Sequence, residues 1–260
     1  MKILVLVKHV PDATGDRRFA DDGTLDRAGT DGLLSELDEY AVEQALRIAD
    51  ERDDVEVVAL TLGPDDAADA IKRALQMGAS GGIHINDEAI HGSDALATSA
   101  VLAAAVTKAA PDLVICGMAS TDGGMGVVPV MIAERLGWPA ATLAASLCVE
   151  EHTVSIRRDA DSASLTIEAD LPAVVSVTDQ SGEARYPSMK GILAAKKKPV
   201  ETWTLPDIGI DPSTVGLDAA LTKVLETTPR PPKQAGRAIT DEGGSGAAAL
   251  TDFLSTGKYL

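Results

Sequence analysis

The segment that decides the fold runs from Leu113 to Leu136 and reads LVICGMASTDGGMGVVPVMIAERL. It begins with the apolar run Leu113–Cys116, continues through a loop rich in glycine and hydroxyl side chains, and ends in a helical pattern from Pro129 to Leu136. A buried strand, a glycine-rich loop and a helix in this order are typical of a βα unit in a parallel sheet. Gly137 and Pro139 then predict the end of the helix.

The same alternation of strand and helix extends from this segment back to the N-terminus. Each predicted strand is a short apolar run, and apolar residues at helical spacing follow it. The predicted strands are Ile3–Val7, Val55–Leu62, Gly82–Ile85 and Leu113–Cys116, and the predicted helices span about 35–50, 64–78 and 93–108. Continuous apolar runs indicate strands that helices cover on both faces. We therefore predict an α/β fold with a doubly wound, mostly parallel sheet.

Local patterns add detail to this sheet. Ser35–Asp38 has the form of a capping box at the start of the first helix. The polar stretch 11–32 before it is too long for a turn, so it is a functional loop or an excursion with its own short hairpin. Apolar and polar residues alternate over 154–156 and 165–167, which predicts an antiparallel hairpin added to the sheet. Leu171–Val177 then returns as a buried strand.

The chain after residue 182 loses regular periodicity. We expect an α/β domain over 1–198 and an extended C-terminal arm over 199–260, whose low apolar content requires another surface to order it. Within the domain, the segment 185–198 sets the apolar Met189, Ile192 and Leu193 beside three consecutive lysines. Apolar anchors next to charges are typical of a docking loop.

Composition excludes several classes of function. The chain of 260 residues has 23 Lys and Arg against 40 Asp and Glu, a formal net charge of -17. Such a surface repels nucleic acid and anionic lipid, because phosphate binding depends on Lys and Arg. No apolar run approaches the length of a membrane span, and the run at 3–7 is too short for a secretory signal. We therefore expect a cytoplasmic protein that is not a membrane protein.

The loop after the fourth strand is the most ligand-like feature. In open α/β sheets ligands lie beyond the carboxyl ends of the strands. The glycines of Gly117–Gly126 permit close backbone approach, its hydroxyls can bond phosphate, and a helix N-terminus follows. A merely flexible loop is the alternative. The pattern G-x-G-x-x-G is not matched, since Pro129 stands where the third glycine would fall, and there is no P-loop.

Catalytic patterns are scarce. The four histidines, His9, His84, His91 and His152, have no partners at spacings that imply a metal site or a triad. A Gly-x-Ser-x-Gly elbow is also missing from the sequence. We therefore predict a chain without catalytic residues or metal ligands of its own.

The order of several short motifs resembles that of electron-transfer flavoprotein beta subunits. The residues that carry the resemblance are Lys8–Asp12, Glu39–Arg47, Gly63–Pro64, Ser120–Gly123, Leu136–Pro139, Leu171–Val177, Arg185–Ser188, Gly191–Ile192 and Ala195–Lys198, with a weaker echo in Thr228–Arg230 and Ala235–Gly236. Each motif is modest alone, whereas their order and spacing together are highly specific. The match covers residues 1 to about 200.

The resemblance implies a subunit that pairs with an alpha subunit in a heterodimer. In that family FAD is held mainly by alpha, and beta binds a buried, structural AMP on a sheet of the adenine-nucleotide-binding type. The dimer accepts electrons from acyl-CoA dehydrogenases of fatty acid oxidation and passes them to a membrane quinone oxidoreductase. Beta is thus an electron-carrier subunit rather than an enzyme.

Carried over by position, the resemblance assigns two sets of site residues. Those for AMP are Leu6, Ser35, Glu36, Leu37, Asp38, Leu62, Gly117, Ser120, Thr121, Asp122, Gly123, Gly124, Met125, Gly126, Val127 and Val128. Those for docking the dehydrogenases are Tyr186, Met189, Ile192, Lys196, Lys197 and Lys198, with Met189 as the apolar anchor.

This sequence departs from its relatives at three places. Met125–Val127 stands where relatives often carry amides, so backbone groups replace side-chain contacts to phosphate. Met189 replaces a common leucine and is more adaptable. Ala13 and Leu37 replace aromatic residues that some relatives place near the flavin, which puts a flavin contact there in doubt.

Three alternatives stay open at this point. Bifurcating relatives bind a second FAD in place of AMP. A stand-alone universal-stress-type nucleotide-binding protein would have the same sheet, but its chain would end soon after the last strand. An adenylating enzyme would carry a Ser-Gly-Gly-x-Asp loop on the first strand, which Val7–Pro11 does not match.

Overall fold

A computed structural model describes the chain apart from residues 16, 229, 230, 232–235, 237, 242, 258 and 260. The weaker echo at 228–230 and 235–236 therefore lies largely outside the described residues. The chain divides into two compact units, Met1–Glu226 and Thr227–Leu260. Among the described residues no helix is both long and apolar enough to cross a bilayer.

The described residues of the first unit form twelve strands. They are β1 (Lys2–Leu6), β2 (His9–Pro11), β3 (Gly32–Leu34), β4 (Glu56–Leu62), β5 (Gly81–Ile85), β6 (Leu113–Gly117), β7 (Ala140–Ala144), β8 (Ser146–Val149), β9 (Thr153–Asp159), β10 (Ser164–Asp170), β11 (Ala173–Val177) and β12 (Val200–Trp203). Seven of them form one parallel sheet in the order β12-β5-β4-β1-β6-β11-β7. The four strands predicted before residue 117 and the one before residue 178 are confirmed.

Six α-helices accompany these strands in the described part of the first unit. They are α1 (Glu36–Glu51), α2 (Ala68–Met77), α3 (Ala95–Ala109), α4 (Val128–Leu136), α5 (Met189–Ala195) and α6 (Gly216–Ala219). The second unit contains one helix among its described residues, α7 (Ser245–Thr256).

Two apolar cores lie on opposite faces of the sheet, as a doubly wound fold requires. Alternate residues of each strand point to opposite faces, so Ile3 and Val5 of β1 join α1 and α2 in one core. Leu4 of the same strand joins α3 and α4 in the other. Both cores consist mainly of Val, Ile, Leu and Ala, which is consistent with an aromatic content of 3%.

The predicted hairpin is present but belongs to a separate sheet. Strands β9 and β10 pair antiparallel, and β8 extends them to a three-stranded sheet in the order β10-β9-β8. Val154 and Ile156 of β9 are buried against the core that contains α1. The small sheet therefore covers one face of the main sheet instead of lengthening it.

The stretch 11–32 is an excursion with pairing of its own. Strands β2 and β3 pair antiparallel at its two ends, and a single bridge joins Phe19 and Leu25 within it. We call residues 12–31 the excursion below.

The chain beyond Lys198 begins as part of the first unit. Strand β12 pairs with β5 at the edge of the main sheet, and Leu205 after it is fully buried. Among the four residues of β12 only Trp203 is buried, so the strand has no alternating apolar pattern to reveal it. An arm that packs on an alpha subunit stays a prediction, and the compact unit that would carry it begins at Thr227.

Candidate functional site

Residues of the predicted AMP set lie at the carboxyl end of the main sheet. Leu6, Leu62 and Gly117 are the last residues of β1, β4 and β6, while Ser35 precedes α1 and Val128 begins α4. Strands β1 and β6 are neighbours, and the helices that follow them cover opposite faces. The loops thus leave the sheet at its topological switch point, where open α/β sheets bind ligands.

Asp38 joins three of these elements through its buried carboxylate. Its Oδ2 accepts a hydrogen bond from the backbone N–H of Lys8 at 2.8 Å, and Gly117 donates another from its backbone. Burial raises the pKa of Asp38 to about 7, although Lys8 and the two backbone donors act in the opposite direction. A side chain at position 117 has no room, because its Cβ would lie 2.5 Å from Asp38 Oδ1.

The predicted capping box at Ser35–Asp38 is wrong. Ser35 is the N-cap residue of α1, but its hydroxyl makes no capping hydrogen bond. The reason lies in Asp38, whose carboxylate bonds the backbone of Lys8 instead of reaching back to Ser35. Ser35 Oγ and Thr61 Oγ1 are buried without a hydrogen-bond partner among the described residues. Buried hydroxyls without partners are uncommon in proteins, and a bound ligand or water ordinarily satisfies them.

A cluster of three charged side chains fixes the loop after β6. Asp122 Oδ1 lies 2.9 Å from Lys8 Nζ, and Asp122 Oδ2 pairs with the guanidinium of Arg27 from the excursion. The carboxylate also accepts the backbone N–H of Gly123 at 2.6 Å. Burial disfavours its ionisation, yet Lys8, the Ser120 hydroxyl and Arg27 together lower the pKa of Asp122 far below its usual range. Two cations against one carboxylate leave the cluster with one net positive charge.

The rest of the loop is open to solvent on its far side. Gly123–Val127 is exposed, and the Met125 side chain is 63% exposed. Ser120 and Thr121 are half-buried, and the Ser120 carbonyl accepts the N–H of Gly124 at 3.0 Å. Helix α4 follows with Val127 as its N-cap, and no side chain caps it. Uncapped N–H groups at a helix start favour an anion.

Three apolar residues of the set converge on one face. Leu6, Leu62 and Val128 are partly buried and pack against the core that contains α3 and α4. Glu36 and Leu37 stand apart from them on the first turn of α1, where the Leu37 carbonyl lies close to Gly117. The edge therefore combines apolar side chains, a helix start without a side-chain cap and a cluster with one net positive charge.

Two residues that were not predicted as site residues complete this cluster. Lys8 belongs to a motif that carries the family resemblance, and its place directly after β1 is a signal that points to the edge. Arg27 lies in the middle of the excursion, 95 positions from Asp122. No pattern in the sequence predicts the contact between Arg27 and Asp122.

The predicted docking residues lie elsewhere, on and around α5. Tyr186 and Met189 are 89% and 74% exposed, and Leu193, one turn after Met189, is also exposed. Ile192 is half-buried, Lys196 and Lys197 are exposed, and Lys198 is half-buried. Leu193 was predicted as one of the apolar residues of the docking loop, although the set assigned by resemblance omits it, and its helical spacing from Met189 places both on one face.

Lys198 points into the protein rather than outward. Its Nζ donates to the carbonyls of Leu75 at 2.9 Å and Gly78 at 3.1 Å, at the C-terminal end of α2. Desolvation by burial lowers the pKa of Lys198. The lysine run therefore divides into two exposed cations and one that contacts the neighbouring helix.

Comparison with known proteins gives the family of this chain. Residues 22–208 match the model of the electron transfer flavoprotein domain. The chain is 47% identical to the electron transfer flavoprotein subunit beta of Mycobacterium leprae and 46% identical to that of Mycobacterium tuberculosis, each over 99% of both chains. It is 35% identical to the caffeyl-CoA reductase-Etf complex subunit CarD of Acetobacterium woodii, over 92% of both chains.

The family model covers most of the chain, and the two mycobacterial relatives match it over nearly its full length. Both findings lead to one assignment. The chain belongs to the family of electron transfer flavoprotein beta subunits.

Proposed function

We propose that this chain is the beta subunit of a heterodimer in which it binds a structural AMP and docks partner dehydrogenases. The observation that carries the proposal is the carboxyl edge of the sheet. There, Gly117 leaves no space for a side chain, the pairs of Asp122 with Lys8 and Arg27 fix the loop after β6, and α4 begins without a side-chain cap. Such an edge suits the phosphate of a nucleotide.

The charge and the apolar side chains at this edge support AMP as the ligand. The cluster of Lys8, Arg27 and Asp122 has one net positive charge against a phosphate, and it is partly shielded from water. Leu6, Leu62 and Val128 offer an apolar surface suited to a flat adenine ring. The buried Ser35 hydroxyl next to α1 has an unused donor for a ribose or phosphate oxygen.

FAD is held mainly by the alpha subunit in this proposal and supplies the electron-carrying chemistry when bound. The beta chain contributes no acid, base or nucleophile to that chemistry, so it acts as an electron-carrier subunit and not as an enzyme. Its partners are the alpha subunit, acyl-CoA dehydrogenases as electron donors, and a membrane quinone oxidoreductase as the acceptor. The exposed apolar residues on and around α5 support the docking role, since such patches mark interaction surfaces.

A second FAD in place of AMP is the alternative that one observation favours. The stretch Gly123–Val127 is exposed and contains no large polar side chain, so the edge does not limit the ligand to a mononucleotide. A dinucleotide would contact the same apolar surface with its adenine.

The nucleotide content of the heterodimer tests both readings. The chain is expressed with its alpha partner, the purified complex is denatured, and the released nucleotides are quantified by chromatography and mass. One FAD and one AMP for each dimer is the expected result. Two FAD without AMP would replace the proposal by the bifurcating alternative, and ATP alone without co-purification of alpha would overturn the heterodimer.

A further inference from the structure

The docking segment, residues 185–198, presents its apolar side chains on a helix that is too short to be stable without contacts to the rest of the protein. Helix α5 has seven residues, and isolated helices shorter than about 12 residues are marginal in water. Its exposed face carries Met189 and Leu193, and only Ala195 of its residues is buried. Contacts from behind must therefore fix its orientation.

Arg185 makes such a contact at the start of the segment. Its Nε lies 2.6 Å from Glu43 Oε2, its Nη2 lies 3.2 Å from Glu43 Oε1, and its backbone N–H also donates to Glu43 at 3.1 Å. The Glu43 side chain on α1 is only 6% exposed. A further bond of 2.8 Å joins Arg185 Nη2 to Asp50, about two turns further along the same face of α1. Bidentate pairs of this kind fix geometry as well as contribute energy.

Neighbouring residues of α1 extend this anchor to the chain that leads into the segment. Arg47 Nε donates to Glu43 at 2.9 Å, while Arg47 Nη2 donates to the Glu183 carbonyl at 3.2 Å. Gln44 Nε2 donates to the buried Ser181 carbonyl at 2.8 Å. Burial opposes ionisation of Glu43, and the two arginines nevertheless lower its pKa. The carboxylate is thus charged and fully engaged.

Lys198 makes the corresponding contact at the end of the segment. Its Nζ donates to the carbonyls of Leu75 and Gly78, which terminate α2. Carbonyls in the last turn of a helix lack intrahelical partners and attract cations. Between the two ends, Gly191 lies so close to the Gln76 carbonyl that a Cβ there would approach it to 2.5 Å.

We propose that Arg185 and Lys198 are positioning residues, which clamp the docking segment onto α1 and α2 and so hold Tyr186, Met189 and Leu193 in the orientation that a partner contacts. The inference rests on the proposed docking function. It separates Lys198 from Lys196 and Lys197, whose exposed charges face solvent. Preorganisation of this kind lowers the entropy that docking costs.

The test uses the intact heterodimer with a purified acyl-CoA dehydrogenase reduced by its acyl-CoA substrate. The apparent KM for the heterodimer, kcat, the dependence of KM on ionic strength, and hydrogen exchange of amides 186–195 are measured. For Arg185→Gln and Lys198→Gln we expect KM to rise about tenfold with kcat retained, because an unclamped segment must be ordered on docking. Amide exchange over the segment should accelerate, and the ionic-strength dependence should stay unchanged. Lys72→Gln on α2 is the control, because it also removes one positive charge but breaks only an exposed pair with Asp69.

Other variants separate the clamp from the docking role. Lys196→Gln should alter the ionic-strength dependence without altering exchange, and Met189→Ala should raise KM with exchange unchanged. Asp50→Asn removes only the outer contact of Arg185, so it serves if Arg185→Gln fails to fold. Wild-type exchange and KM in the Arg185, Lys198 and Asp50 variants would overturn the clamp. A wild-type KM in Met189→Ala would instead overturn the docking function, while exchange would still report on the clamp.

Discussion

The carboxyl edge of the sheet and the docking segment are both irregular in sequence, and they are held in opposite ways. At the edge, contacts converge from several loops toward one space: Asp38 reaches Lys8 and Gly117, and Asp122 reaches Arg27. At the docking segment, ion pairs hold the chain from behind and leave its apolar face in solvent. The difference agrees with the two roles proposed above, a ligand site at the first region and an interaction surface at the second. Substitutions should therefore have different consequences in the two regions.

Gly117→Ala should have the largest effect, because it adds a methyl group where the contacts of the edge converge. The new Cβ would lie 2.5 Å from Asp38 Oδ1 and 2.8 Å from the Leu37 carbonyl oxygen. Backbone must then move, and we expect a loss of about 3 kcal/mol in the free energy of unfolding, measured by urea denaturation. Gly124→Ala is the control, because its Cβ meets open space and its φ of +64° alone costs about 1 kcal/mol. Equal losses of unfolding free energy in the two variants would show that the close contacts at Gly117 do not matter for stability.

Arg27→Gln should weaken nucleotide retention while leaving the sheet folded. The substitution removes one of two cations from Asp122 and releases the excursion from the loop after β6. We expect AMP to dissociate from the heterodimer about tenfold faster, as loss of one charge-assisted contact predicts. Dissociation is followed by exchange of labelled AMP. Arg17→Gln on the same excursion, an exposed residue, should leave the rate unchanged; an equal acceleration there would assign the effect to overall charge.

Asp38→Asn sharpens the comparison through pH. The folded-state pKa of Asp38, about 7, lies above its ordinary value of 3.8, so the folded protein binds more protons between those values and loses stability as the pH rises. The variant lacks this loss. The free energy of unfolding of the variant, relative to that of wild type, should therefore increase from pH 5 to pH 8, by at most about 1.4 kcal/mol per pH unit.

Asp122→Asn is the control of opposite sign. The lowered pKa of Asp122 contributes stability above its unfolded value that is lost only as the pH falls through the acid range. The difference in free energy of unfolding between Asp122→Asn and wild type should therefore not change between pH 5 and pH 8. A flat profile for Asp38→Asn as well would contradict the raised pKa.

Met189→Ala should have the smallest effect on stability. The side chain is 74% exposed, so truncation should change the free energy of unfolding by less than about 0.5 kcal/mol, although electron acceptance from dehydrogenases should weaken. Met77→Ala makes the same change at a buried position of α2 and should cost about 3 kcal/mol. Thermal and urea unfolding of the two variants measure the contrast. A large loss in Met189→Ala would mean that the segment supports the fold instead of presenting a surface.

Local patterns of the sequence predicted the sheet well, because buried parallel strands are continuous apolar runs and helices repeat at their own period. The glycine-rich loop after β6 was found for the same reason. Contacts between distant positions were not predictable: Arg27 and Asp122 are 95 positions apart, and Glu43 and Arg185 are 142 apart. The prediction of a capping box was wrong because the Asp38 carboxylate accepts the backbone N–H of Lys8, which follows β1, and does not bond the start of its own helix. Strand β12 was missed because edge exposure removes the apolar pattern.

The strand order has a consequence for how the chain is made. Strand β1 precedes both of its neighbours in the chain by a long interval, since β4 and β6 begin only at Glu56 and Leu113. A nascent chain that ends before Leu113 leaves one edge of β1 unpaired, and such edges recruit other strands. The parallel pairing of β1 also joins residues far apart in the chain, which slows folding. Until β6 is available, the free edge of β1 is therefore a site where non-native strand pairing can begin.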